Sequence, residues 1–242
     1  MHSCSRKATP SMGGGKMEQT VFNYPDEKTS MEVIDLIFSG KLEKAYGILS
    51  GFYHVPEVMV ICDAEKFHED WAKAYSSSQK VDAYYYYKYD HYHDSSSNYV
   101  NFRFEIYRKL PHLALHEFYH HLERIFGIRG VTFGVEQTAE SWAEWFIRSA
   151  GDIGRVILVY SFWDIKYAMR VVRLLNAVKN GAGKNRVKEL KKKTAGIITR
   201  KDVVFSRTEK KYQLTPTGEK MLEYGTIYFA AYKAWTNGEQ VE

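Results

Sequence analysis

The sequence predicts an α+β fold: a small mixed sheet, a helix carrying His-Glu-x-x-His, a glutamate-bearing helix after it, and a basic, mainly helical C-terminal part with a hairpin. Three observations predict it. Short stretches of strand character lie between long stretches whose apolar residues recur every three or four positions. His116-Glu117-x-x-His120 has a spacing that carries mechanical meaning only on a helix, where residues i and i+4 share a face. Finally, charge is unevenly spread: Lys166 to Lys211 holds 15 Lys+Arg and 3 Asp+Glu, leaving 19 and 26 for the rest of the chain.

Taken in order, the first twenty residues include Cys4, Arg6, Lys7, Pro10 and Gly13-Gly14-Gly15, without an apolar core of the signal-peptide kind, and read as a disordered leader ahead of Met17. Val33, Ile34, Ile37, Phe38, Leu42, Ala45 and Ile48 argue for helix from Thr29 to Leu49, interrupted near Ser39-Gly40. Val58-Met59-Val60-Ile61 reads as a short buried strand. Asp63 caps a helix through about Tyr75. Val81 to Tyr89, rich in tyrosine, is a strand, because a ring on a pleated surface buries area while its hydroxyl stays wet. Asp90 to Asn98 reads as a loop with His91 and His93, and Tyr99 to Tyr107 as a half-buried strand of alternating residues.

Pro111 opens the next helix and Gly127 stops it. Its apolar stripe is Leu115, Phe118, Leu122, Ile125 and Phe126, whereas His116 and His120 fall on a neighbouring face. Histidines that merely filled the core would sit in the stripe, so this placement points to a cleft. With 9 His in the chain, chance yields roughly 0.03 such motifs. Two imidazoles one turn apart suit Zn²⁺, with the adjacent Glu117 placed to act as general base. A third protein ligand is needed, and no His or Cys follows His121. The helix read from Val135 to Ser149 offers Glu136, Glu140 and Glu144 on one face.

His116-Glu117-x-x-His120 followed by Glu140-x-x-x-Glu144 resembles the gluzincin group of zincin metallopeptidases over roughly residues 55 to 150. The resemblance implies a zincin-like core, Zn²⁺ held by His116, His120 and Glu140, and Glu117 as the base of peptide-bond hydrolysis. Glu136 is the alternative ligand. By the same resemblance Glu144, where the family usually has Asp, hydrogen-bonds the first histidine. The strand before the motif helix pairs with an extended substrate, and a tyrosine such as Tyr160 or Tyr167 stabilises the oxyanion.

Downstream, Phe162 to Asn180 reads as helix, Lys184 to Thr194 as a short basic helix with Val187 and Leu190 inward, Val203–Phe205 and Tyr212–Leu214 as a hairpin, and Thr215 or Thr217 as the start of a last helix. The run Tyr212 to Leu222 resembles the end of a winged-helix domain. The charge excess of residues 166–211 suggests nucleic acid as an anionic partner, and the winged-helix resemblance implies Lys184, Arg186, Lys191, Lys192 and Lys193 as phosphate contacts. The alternative expectation is a nucleic-acid-binding regulator built on a zincin scaffold whose protease site is regulatory or inactive. The expected organisation is a leader over 1–20, a zincin-like domain over 21–155 and a basic region over 156–242. Two cysteines fit a reducing compartment, and no run of eighteen apolar residues suggests a membrane span, so a cytoplasmic location is the expectation.

Overall fold

The computed structural model describes residues 22–67, 83–90, 95–103, 105–127, 132–161, 165–194 and 198–237. The expected leader, His91, His93 and the later part of the helix read from Asp63 lie outside the described residues. What is described is an α+β fold, mostly helical, with one three-stranded sheet and one hairpin.

Helix α1 (Glu27–Phe38) begins where the Asp26 carboxylate accepts the Thr29 N–H at 2.8 Å, and it ends at Ser39 before Gly40 turns the chain at φ +73°. Helix α2 (Leu42–Tyr53) follows and ends with His54 in the left-handed region. Strands β1 (Met59–Ile61), β2 (Ala83–Asp90) and β3 (Ser95–Phe102) form the sheet in the order β1-β3-β2. β1 runs parallel to β3 with Val60 opposite Val100, and β2 runs antiparallel with Tyr85 opposite the same residue. After β1 the Asp63 carboxylate accepts the Lys66 N–H at 2.9 Å, opening the helical turn expected there.

The sequence pattern placed the second long strand over Tyr99 to Tyr107, and the structure corrects both its ends. Pairing with β2 carries the strand back into Ser95, and it stops at Phe102, after which Glu105–Lys109 forms a 3₁₀ turn. Alternation is a poor guide here because Tyr107 is buried by the turn rather than by a strand face.

Pro111 occupies the first turn of α3 (Pro111–Phe126), where its missing N–H costs no bond, and Gly127 closes it at φ +65°. Leu115, Phe118 and Leu122 are fully buried as the stripe requires, but Ile125 and Phe126 are exposed. Helix α4 (Thr132–Ser149) returns alongside α3, burying Ala139, Trp142, Ala143 and Phe146. The Tyr46 hydroxyl donates to the Ala114 carbonyl at 2.7 Å and ties α2 to α3.

Helix α5 (Gly151–Ser161) precedes α6 (Ile165–Lys179), the basic α7 (Lys184–Lys193), the hairpin of β4 (Val203–Ser206) and β5 (Lys211–Leu214), and α8 (Pro216–Asn237). The expected boundary after residue 155 falls inside α5, and one buried core runs through both parts. Thr215 caps α8 by accepting the Gly218 N–H at 3.1 Å. That helix returns to α1, where the Tyr224 ring stacks on Phe38 at 3.8 Å and its hydroxyl donates to Asp35 at 2.6 Å. No helix among the described residues is long and apolar enough to cross a membrane.

Candidate metal centre

Helices α3 and α4 run antiparallel, so ascending one turn on α3 means descending one turn on α4. This ladder is visible in the contacts. His112 Nε2 lies 3.0 Å from Glu140 Oε1, His116 Nδ1 lies 3.5 Å from Glu140 Oε2 and Nε2 lies 3.1 Å from Glu136 Oε2, and His120 Nε2 lies 3.6 Å from Glu136 Oε1. The two Nε2 atoms are 3.2 Å apart. His116, His120 and Glu136 thus bring one ligand atom each within 4.8 Å of one another. Two donors at Zn²⁺ bond lengths of ~2.0–2.1 Å on tetrahedral directions stand roughly 3.3 Å apart. The Nε2–Nε2 distance of 3.2 Å and the 3.1 Å from His116 Nε2 to Glu136 Oε2 match that separation, while His120 Nε2 meets the other carboxylate oxygen, Oε1, at 3.6 Å.

The outward nitrogens are engaged too. His120 Nδ1 meets Glu123 Oε2 at 2.9 Å, so each imidazole faces the shared site through Nε2 and a supporting carboxylate through Nδ1. An Nδ1–H held by a carboxylate fixes the tautomer, frees Nε2 for a cation and raises its basicity. His112 and Glu123 belong to the same cluster and were not read from the sequence. Their signals were present, since His112 stands one turn before His116 and Glu123 stands three positions after His120.

The placement of the third carboxylate differs from the gluzincin-derived expectation. Glu136, the alternative, joins the histidines, and Glu140 sits behind them against His112 and the Nδ1 of His116. Glu144 is a turn too far along. Its opposite number on the ladder would precede Pro111, and its carboxylate takes Arg148 Nε at 3.0 Å instead of a histidine.

Electrostatics explain what the site wants. Burial works against charge on His116, but Glu136 and Glu140 outweigh it and push the imidazole up to about 9. For His120 burial is likewise outweighed by Glu123 and Glu136, and the value rises to about 10. Glu136 is held far below the usual carboxylate range by both histidines, and Glu140, despite its burial, is brought down to about 2 by His112 and His116. His116, His120 and Glu136 form a group that could hold a metal ion in place of those protons.

Glu117 lies beside it, buried, with burial pushing its carboxyl upward while His116 and His120 pull it down. The Tyr85 backbone N–H of β2 holds the carboxylate, yet its Oε2 is buried without a hydrogen-bond partner. An orphaned, partly basic oxygen at that position has the chemistry of a proton acceptor.

His121 plays a different part. Its Nε2 donates to the Pro56 carbonyl at 2.8 Å, leaving Nδ1 to accept from the Tyr85 hydroxyl at 3.1 Å, and burial lowers its pKa. It fastens β2 to α3 so that Tyr85 meets Glu117.

Two expectations about the substrate are corrected. β3 is the central strand, and over residues 99–101 both its edges are occupied by β1 and β2, so it has no free edge there for a peptide. Tyr160 does not face the cluster, because it is buried and its hydroxyl donates to the Met221 carbonyl at 2.8 Å. Tyr167 lies on α6 beside Arg170.

The basic candidates separate into two groups. Glu189 accepts Arg186 at 2.7 Å and Lys193 at 3.0 Å. Lys184 and Lys191 instead lie over the Phe205 and Tyr212 rings of the hairpin, at 4.8 and 5.7 Å, and Lys192 is exposed. Comparison with known protein families, curated proteins and solved structures finds no match for this chain.

Proposed function

We propose that this protein is a zinc-dependent metallopeptidase in which His116, His120 and Glu136 hold the metal and Glu117 is the general base. The observation that carries the reading is the convergence of the two Nε2 atoms and the Glu136 carboxylate within 4.8 Å, with the unpartnered Glu117 oxygen beside them. Zn²⁺ bound there would supply Lewis acidity, which lowers the pKa of a water toward ~7 and polarises a peptide carbonyl. Glu117 takes the proton and delivers it to the leaving amine, a task its burial favours. Glu140 and Glu123 hold the rings in place. Zincin kinship with Glu140 as ligand becomes the narrower variant of this reading, since Glu136 has the better geometry.

The test is metal content and turnover on a peptide library. One zinc per chain is expected, with Glu117→Gln lowering kcat at least 10³-fold while zinc is retained, and Glu136→Gln losing zinc. A well-folded protein that takes up no zinc sinks the reading.

A second reading makes the C-terminal part a nucleic-acid-binding surface, with a cytoplasmic regulatory protease combining the two. It draws on Lys184, Lys188, Lys191 and Lys192, which recur at i, i+4, i+7 and i+8 along α7 and for which no carboxylate partner is found among the described contacts. Such a stripe suits phosphates, and Arg186 and Lys193 become weaker contacts because Glu189 already neutralises them.

A further inference from the structure

Helix α3 carries two polar pairs spaced one turn apart, and only one of them is turned to α4. His116 and His120 meet the α4 carboxylates, whereas Glu117 and His121, each one position later, meet the sheet. His121 is fully buried, and its ring joins three segments remote in the chain. Nε2 donates to the Pro56 carbonyl ahead of β1 at 2.8 Å, and Nδ1 faces the Tyr85 hydroxyl of β2 at 3.1 Å and the Asn98 side-chain amide of β3 at 3.4 Å. A carbonyl only accepts, so Pro56 keeps the proton on Nε2 and leaves Nδ1 as the acceptor for Tyr85. The two rings also pack edge to face, with centroids 5.5 Å apart. From the same residue, the Tyr85 backbone N–H reaches the Glu117 carboxylate. Tyr85 is thus gripped by its side chain through His121 and grips Glu117 by its backbone.

We propose that His121 is a positioning residue: through Tyr85 it sets where the Glu117 carboxylate points, without itself touching metal or substrate. Its consequence for turnover rests on the peptidase reading, whereas its hold on Glu117 does not. Glutamate is a long side chain with several rotatable bonds, and Glu117 Oε2 has no hydrogen-bond partner, so the Tyr85 N–H is what orients this carboxylate. A general base works only within about 2.6–3.2 Å of the proton it takes, and a misplacement of about 1 Å can cost about 10²-fold in rate. Substrate binding in the ground state does not use that proton transfer. Loosening the grip should therefore lower kcat and leave KM in place.

The test uses the zinc-loaded full chain and three variants, with two readouts: hydrogen exchange of the residue-85 amide by NMR, and kcat and KM on a cleaved peptide. Tyr85→Phe, at a half-buried position, removes only the hydroxyl. It should speed exchange at least tenfold and lower kcat at least tenfold, with KM within twofold and zinc uptake unchanged. His121→Leu fills the buried space without an acceptor, whereas the smaller His121→Asn places an oxygen near the position of Nδ1. Positioning predicts that the asparagine variant keeps slower exchange and a higher kcat than the leucine variant; a purely space-filling role predicts the reverse order. An amide exchange rate unmoved by Tyr85→Phe, a change in KM with kcat intact, or a leucine variant superior to the asparagine one overturns the proposal. The two readings fail separately. If the parent cleaves no peptide while exchange responds as expected, the peptidase is refuted and the hold of His121 on Glu117 stands. If the parent cleaves and Tyr85→Phe leaves kcat unmoved, the positioning role is refuted and the peptidase stands.

Discussion

Each imidazole of the cluster has two nitrogens with different duties, and the carboxylates behind them are as much part of the site as those in front. Glu123 at 2.9 Å from His120 and Glu140 at 3.5 Å from His116 orient the rings. Removing one such charge leaves the ligand in place but less basic and free to tilt. Glu123→Gln and Glu140→Gln are therefore expected to weaken zinc ~10–100-fold each in competition with a chelator. Glu144→Gln, whose parent carboxylate is occupied with Arg148, should leave the affinity within twofold. If Glu144→Gln proves the most damaging of the three, the ladder described above is wrong. Much of this was legible: the motif, its helix and the face opposite it followed from spacing alone. The choice between Glu136 and Glu140 was not, because it depends on where two helices meet across a connection. A usable signal existed in Gly127. Reflecting His116 and His120 through that stop lands at positions 138 and 134, and Glu136 lies between them.

At the scale of elements, α7 shows why charge counts mislead. The helix has a mean charge visible in sequence, but only the packing decides which lysines have a carboxylate neighbour. Val187 and Leu190 bury one side, Glu189 neutralises Arg186 and Lys193, and Lys184, Lys188, Lys191 and Lys192 share the remaining arc, with Lys184 and Lys191 over rings of the hairpin. If a duplex binds there, Lys188→Ala, Lys191→Ala and Lys192→Ala together should reduce the slope of log K against log salt by about 3, since each phosphate contact contributes ~0.9. Arg186→Ala with Lys193→Ala should change it by less than 1. Fluorescence anisotropy over a salt series measures both, and equal effects would remove the reason for distinguishing the two groups. The hairpin and α7 themselves followed from periodicity. The limits of β3 did not, because pairing with β2 continues through serines that have no strand signature.

The whole molecule couples the cluster to stability, and zinc bound as proposed would compete with the protons that carry this coupling. In the metal-free protein His116 and His120 have pKa values of about 9 and about 10, above the usual 6.5 of an unfolded imidazole. Groups raised on folding stabilise fully below pH 6.5, and that contribution is lost as pH climbs through 9 and 10. His121 works oppositely: its pKa is lowered, so its contribution is present above 6.5 and lost toward acid. Glu136 and Glu140 are depressed, and their contribution persists until well below pH 4.5. Metal-free protein should consequently be most stable near pH 6.5 and lose Tm steadily toward pH 9.5. Zinc binds imidazoles without their protons, so its stabilisation must grow over the same interval, by up to ~1.4 kcal/mol per pH unit for each proton displaced. The Tm gap between zinc-loaded and chelator-treated protein should therefore widen from pH 6 to pH 9. Melting curves across that range decide it. A gap that narrows, or a metal-free Tm that rises between pH 6.5 and 9.5, would mean the protons on His116 and His120 and the metal do not compete for the same two nitrogens.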